Sequence, residues 1–123
     1  MHLLIVEDDP DLAALIEAIG VGRGHDVQRV ATAEQTFEAV AARRPDAIVL
    51  DIQLDGVLDG RDVLSRIADR TIPVFVYTSS HDELTLKLCW AYGARDVFQK
   101  GMPATALLVR IERTLEADRH HGG

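Results

Sequence analysis

The sequence predicts an α/β protein: a doubly wound parallel sheet with helices on both faces. Short aliphatic runs alternate with stretches of helical period, giving five of each, and every link between successive runs is long enough to be a crossover. The length of 123 residues supports one domain and leaves no room for a second.

The first run, His2-Leu-Leu-Ile-Val6, reads as a buried strand ending at acids. Leu12, Leu15, Ile16 and Ile19 then recur at i, i+3, i+4, i+7, one face of a helix that Gly20, Gly22 and Gly24 are expected to stop. A second strand follows at Asp26–Val30. Thr32-Ala-Glu-Gln35 has the form of a capping box and opens a helix expected to bury Phe37, Val40 and Ala41. Pro45 introduces a third strand, Ala47–Leu50, which ends at Asp51. A loop carrying Gly56 and Gly60 leads to a helix with Val63, Leu64 and Ile67 inward. Pro73 opens the fourth strand, Val74–Tyr77, followed by Thr78. Ser80-His-Asp-Glu83 reads as another capping box, with Leu84, Leu88 and Ala91 as the core face of its helix. Gly93 ends that helix, Asp96–Gln99 is the fifth strand, and a last helix from about Pro103 buries Ala104, Leu108, Ile111 and Leu115. The domain is expected to cover 1–118, with a disordered tail at 119–123 that includes His120 and His121.

Composition narrows the function. Apolar residues make up 47% and charged residues 27%, ordinary for a globular chain. Twenty acids against thirteen bases give a net charge of −7, which argues against nucleic-acid binding, since that rests on clustered Lys and Arg. The longest apolar runs, Leu3–Val6 and Leu12–Ile16, are far too short to span a membrane, and no basic leader is apparent. The one cysteine, Cys89, fits packing or surface in a reducing compartment, so a cytoplasmic location is expected. Gly20-Val-Gly-Arg-Gly24 follows a helix rather than the first strand and reads as a loop, not a dinucleotide site.

Ligands of such sheets bind beyond the carboxyl ends of the strands, where the strand order reverses. In the flavodoxin-like (βα)5 order 2-1-3-4-5, Glu7-Asp8-Asp9, Asp51, Thr78 and Lys100 all lie at neighbouring strand ends. Clustered carboxylates repel unless protonated or bridged by a cation, and hard oxygen donors suit Mg²⁺. An ionised Asp51 could act as a nucleophile forming an aspartyl-phosphate, with Lys100 and Thr78 on the phosphoryl oxygens. Asp9 and Asp11 read as helix N-terminal charges. Taken alone, Thr78 could equally be a cap or loop hydroxyl. Only two lysines stand against eleven arginines, so a lysine at 100 hints that a compact point charge is wanted.

Val6-Glu-Asp-Asp-Pro10, Val49-Leu-Asp51, Pro73-Val-Phe-Val-Tyr-Thr78, Gly93-Ala-Arg-Asp96 and Lys100 together resemble the receiver domain of bacterial response regulators. The resemblance implies that Asp51 is the phosphoacceptor, Asp8 a direct Mg²⁺ ligand and Glu7 a ligand acting mainly through water. It implies the backbone carbonyl of Gln53 as a further ligand, Thr78 as the switch hydroxyl and Lys100 as the phosphoryl-binding lysine. Three positions depart from the usual pattern. Val97 stands where an aromatic is common, with Phe98 on the opposite strand face; Gly101 replaces the proline after the lysine; and Gly60 lies nine positions after Asp51 rather than eight.

The expected function is a phosphorylation-controlled signalling module, not an enzyme with an outside substrate, though it would catalyse its own phosphorylation and dephosphorylation. Its expected partners are a histidine kinase or phosphotransfer protein, and a downstream protein or second copy on the face of the fourth helix, fifth strand and fifth helix. Leu86 and Trp90 are placed on the outside of the fourth helix, and the small Ala14 and Ala18 on the outside of the first. Three other readings stand beside this one. A receiver-like module could signal by dimerisation or partner binding without phosphorylation. A metal-dependent phosphohydrolase could form an aspartyl-phosphate, but Gln53 replaces the second aspartate that haloacid-dehalogenase-like enzymes need. A flavin binder would meet repulsion from the acids after the first strand.

Overall fold

The computed structural model describes residues 1–122. Five strands, β1 (His2–Val6), β2 (Asp26–Val30), β3 (Ala47–Leu50), β4 (Val74–Thr78) and β5 (Asp96–Gln99), alternate with five helices. The helices are α1 (Pro10–Gly22), α2 (Ala33–Ala42), α3 (Gly60–Arg66), α4 (Glu83–Ala91) and α5 (Ala104–Gly122). All strand pairs are parallel and the order is β2-β1-β3-β4-β5, as predicted. The central strands β1, β3 and β4 are buried along their length, which is why they read as unbroken aliphatic runs.

Side-chain alternation divides the core in two. Leu3, Ile5, Val49, Phe75 and Phe98 pack with Ile16 of α1 and Leu107, Leu108 and Ile111 of α5. Leu4, Val6, Ile48, Leu50 and Val76 pack with Ala33 and Ala39 of α2, Val63 and Leu64 of α3 and Cys89 of α4. Val97 lies against this second core and Phe98 in the first, on opposite faces as predicted.

Several helix faces differ from expectation. In α1 the buried residues are Ala13, Ile16 and Gly20, while Leu15 is 52% exposed. Gly20 does not stop the helix; a Cβ there would lie 2.9 Å from the Val27 side chain, so the glycine lets α1 settle against β2. The stop comes after Gly22, followed by Gly24 at φ +89. In α2, Ala33, Thr36 and Ala39 face the sheet, Phe37 and Val40 are half-buried at the rim, and Ala41 is exposed. In α4 the buried residue is Cys89; Leu84 is 65% exposed, and Ala91 is exposed too. The helix is rotated by about a third of a turn from the predicted face. As a result Leu86, placed outside by the sequence, is half-buried, whereas Trp90 stays out at 52% exposure.

Helix starts follow local chemistry. Asp9 caps α1 by accepting from the Asp11 and Leu12 amides, with Pro10 just inside. Thr32 caps α2, accepting from the Gln35 amide as the capping-box form predicted. The cap of α4 is Asp82, not Ser80: its carboxylate accepts from the Thr85 amide and hydroxyl. α3 carries a reciprocal Asp59/Asp62 capping box. α5 runs helical to Gly122, past the boundary predicted at 118, since no glycine or proline interrupts Arg119–His121. The last residue of the expected tail, Gly123, lies outside the described residues.

Candidate functional site

The carboxyl ends of β1, β3, β4 and β5 meet at one edge, and the topology delivers two reactive groups from β1 and one from each of the others. Glu7 and Asp8 follow β1, Asp51 follows β3, Thr78 ends β4 and Lys100 follows β5. Parallel registry brings them level: Val6 pairs with Leu50, so Glu7 and Asp51 leave adjacent strands side by side.

Three carboxylates converge. Glu7, Asp8 and Asp51 each offer an oxygen within 4.8 Å of the others. Glu7 and Asp51 are both 4% exposed, and Asp8 is half-buried at the mouth. The Lys100 ammonium reaches across from β5, 2.7 Å from Glu7 Oε1 and 3.1 Å from Asp51 Oδ2. One ammonium against three carboxylates leaves an excess of two negative charges. Three of the remaining four oxygens are held by main-chain donors. The Asp9 amide donates to Glu7 Oε2, the Gln53 amide to Asp51 Oδ1 and the Asp55 amide to Asp8 Oδ2.

These neighbours shift the protonation equilibria. Burial, reinforced by the charge of Asp51, pushes the Glu7 carboxyl up to about 7 despite the hydrogen bond from Lys100. Burial alone would lower Lys100, but Glu7 and Asp51 together hold its ammonium above the ordinary lysine value. Lys100 is therefore a fixed positive charge, and Glu7 is the group poised between two states. The donor set fits a hard divalent cation: it consists of oxygens only, and with Glu7 ionised it carries two negative charges beyond the one Lys100 balances.

Thr78 is fully buried at the end of β4. Its carbonyl accepts from the Lys100 amide at 2.9 Å, which ties the β4 and β5 ends together. Its hydroxyl accepts from the Ser80 amide at 3.2 Å. Gly60 fixes the other wall. A Cβ there would sit 2.4 Å from the Asp51 carbonyl oxygen and 2.6 Å from Ile52 Cα, so α3 begins directly against the backbone that carries Asp51.

The structure thus brings Glu7, Asp8, Asp51 and Lys100 into contact and sets Thr78 at the neighbouring strand end. The Gln53 amide bonds Asp51, and its exposed side chain turns toward the β4–α4 loop, where Oε1 accepts from Ser79 Oγ. Ala14 and Ala18 are exposed on α1, on the opposite sheet face from Leu86 and Trp90 of α4, so these residues form two patches rather than one. Sequence reasoning missed three contacts around the site: Asp55 on Asp8, Ser79 on Gln53, and Gln99, whose Nε2 donates to the Ser80 carbonyl. They involve neutral side chains or main-chain donors, which leave no charge pattern to read.

Residues 3–112 match the family model of the response regulator receiver domain. The chain is 32% identical over 115 residues to the DNA-binding response regulator MtrA of Mycolicibacterium smegmatis, covering 93% of this chain and 50% of that protein. It is 34% identical over 120 residues to the nitrogen assimilation regulatory protein NtrX of Azorhizobium caulinodans, covering 95% of this chain and 26% of the relative. The chain therefore spans half or less of the length of these curated relatives. Among solved structures, the BeF3-activated N-terminal receiver domain of Klebsiella pneumoniae RstA is similar with a TM-score of 0.85 and 30% identity, over 94% of this chain and 98% of that one. No helix among the described residues is long and apolar enough to cross a membrane.

Proposed function

The chain belongs to the response regulator receiver domain family, and on that premise we propose that Asp51 accepts a phosphoryl group and that the added charge switches a protein-binding face. The observation carrying this reading is the pairing of a buried Asp51 carboxylate with the Lys100 ammonium inside a cluster of three carboxylates. Asp51 oxygen attacks phosphorus, the P–N bond of a phosphohistidine breaks, and the departing imidazole keeps the electron pair. Glu7, Asp8, Asp51 and the Gln53 carbonyl would hold Mg²⁺, which when bound neutralises charge on the transferring phosphoryl group. Lys100, already charged and already on Asp51, binds one phosphoryl oxygen without first being recruited from solvent. The Thr78 hydroxyl donates to another, and its movement carries the start of the β4–α4 loop.

Histidine kinases or phosphotransfer proteins are the proposed donors, docking on the α1 side, where Ala14 and Ala18 allow close approach of a partner helix. The proposed downstream contact, with a protein target or a second copy, is the α4–β5–α5 face, to which Trp90 contributes exposed aromatic area. Self-catalysed hydrolysis of the phosphoryl group resets the switch.

The test is labelling by a small phosphodonor such as acetyl phosphate. Incorporation is expected to require Mg²⁺ and to be lost in Asp51→Asn. Labelling that survives this substitution, or that proceeds equally in chelator, would overturn the assignment.

A further inference from the structure

We propose that Gln99 couples the β4–α4 loop to the end of β5, acting as a positioning residue for the switch; this rests on Asp51 being the phosphoacceptor. Val97 offers no ring to follow the movement of Thr78 and lies half-buried in the core beneath α4. Gln99, two residues on, leaves β5 on the same face. Its Nε2 donates to the Ser80 carbonyl at 3.0 Å. Its Oε1 is buried and meets no donor among the described residues. Turning the carboxamide over would set Oε1 against the Ser80 carbonyl, which can only accept, so the observed orientation is fixed. A buried acceptor without a partner raises the free energy of the state that contains it.

Ser80 supplies the missing donor. Its amide now donates to Thr78 Oγ1 at the long distance of 3.2 Å. Drawing the Thr78 hydroxyl to a phosphoryl oxygen on Asp51 takes that acceptor away. Gln99 Oε1 belongs to the side chain already bonded to Ser80, so the freed amide exchanges one acceptor for another and the orphaned oxygen is satisfied. Two loop states then differ by a small set of hydrogen bonds, and phosphorylation shifts the balance between them.

The rest of the loop is arranged to pass the change on. The Lys100 amide pins the Thr78 carbonyl, which confines movement to the residues after β4. Ser79 Oγ donates to Gln53 Oε1 at 3.0 Å, a clasp from the β3–α3 side that must travel with the loop or open. The Asp82 amide donates to Ser80 Oγ, and Asp82 caps α4, so a displaced Ser80 reaches the helix carrying Trp90.

Nuclear magnetic resonance of the full ¹⁵N-labelled chain, with Mg²⁺ and beryllium fluoride as the phosphoryl mimic, tests this directly. In the wild type the Ser80 amide and the Gln99 side-chain NH2 signals are expected to shift together as the mimic is added. The single tryptophan, Trp90, is expected to report the same transition by fluorescence. Gln99→Met keeps the side-chain length and removes both polar atoms. It should still be labelled at Asp51 by acetyl phosphate, while the Ser80 shift falls to less than half and the Trp90 response is lost. Gln99 signals that stay fixed while Asp51 is modified would overturn the proposal, as would a Met variant that responds like the wild type. The wild-type measurement needs no variant, so a Met variant that fails to fold leaves the test intact. A wild type that takes no label fails at the phosphoacceptor step, seen separately in the labelling assay, and the coupling falls with it.

Discussion

Gly60 shows how one residue sets the geometry of another across a loop. Any side chain there would press its Cβ into the carbonyl of Asp51 and the Cα of Ile52, and backbone atoms cannot rotate out of the way as a side-chain tip can. Gly60→Ala must therefore push α3 away from the end of β3. The expected cost is about 1–3 kcal/mol, the range for overpacking a well-filled site. Because the strained neighbour is Asp51 itself, acetyl phosphate labelling of the folded fraction should slow as well. Urea unfolding together with labelling checks both, and a variant that is as stable and as fast as the wild type would refute this role for Gly60. The sequence shows a glycine in that loop but not its reason, which is a distance across the fold. Glu7, Asp8, Asp51 and Lys100 were legible for the opposite reason: charged residues directly after aliphatic runs announce strand ends, and the strand order makes those ends neighbours. The uncharged side chains of Gln53 and Gln99 leave no such mark: as a site residue Gln53 is read from the sequence only for its carbonyl, and Gln99 not at all.

The helices show where periodicity misleads. Strand positions followed from the short runs and their order from the fold class, but in α1, α2 and α4 much of the line that meets the sheet is small: Ala13 and Gly20 on either side of Ile16, then Ala33, Thr36 and Ala39, then Cys89. The sheet already presents Leu, Ile, Val and Phe side chains, so where a helix lies closest to it the line of contact favours small groups. Larger side chains such as Phe37 and Val40 move to the rims. A hydrophobic pattern weights the large residues and so points the helix at its rim. α3 was read correctly because its large inward residues, Val63 and Leu64 with Ile67 just beyond, fall on the same buried face as the small Gly60. This makes an unusual pair of predictions for α4. Leu84→Gln should change stability by no more than about 0.5 kcal/mol, as for an ordinary surface position. Cys89→Leu should cost about 1–3 kcal/mol through overpacking, although it replaces one apolar residue by another. Denaturant unfolding decides: a large loss for Leu84→Gln with none for Cys89→Leu would restore the face predicted from periodicity.

Charge acts over the domain as two opposed carboxyl equilibria at opposite edges of the sheet. Glu7, raised to about 7 chiefly by burial, has its folded value above the ordinary 4.5. Its contribution to stability is present below that ordinary value and is lost as pH rises through about 7. Glu112 of α5 is held down at about 2, first by the Arg23 hydrogen bonds and then by His25, which together tie α5 to the turn after α1. Its contribution is present above 4.5 and is lost as pH falls toward 2. Without metal, stability should therefore decline on both sides of mildly acid pH. A divalent cation at the cluster changes only one side, because it binds the ionised Glu7 and so competes with the proton. Mg²⁺ is thus expected to raise the unfolding temperature much more at pH 8 than at pH 5. The readout is the difference between Mg²⁺ and chelator at each pH rather than the temperature itself; that difference cancels every pH effect common to both. Glu112→Gln should flatten the acid limb and leave that metal-dependent difference untouched. An equal Mg²⁺ increment at both pH values would show that Glu7 is not among the groups the cation holds.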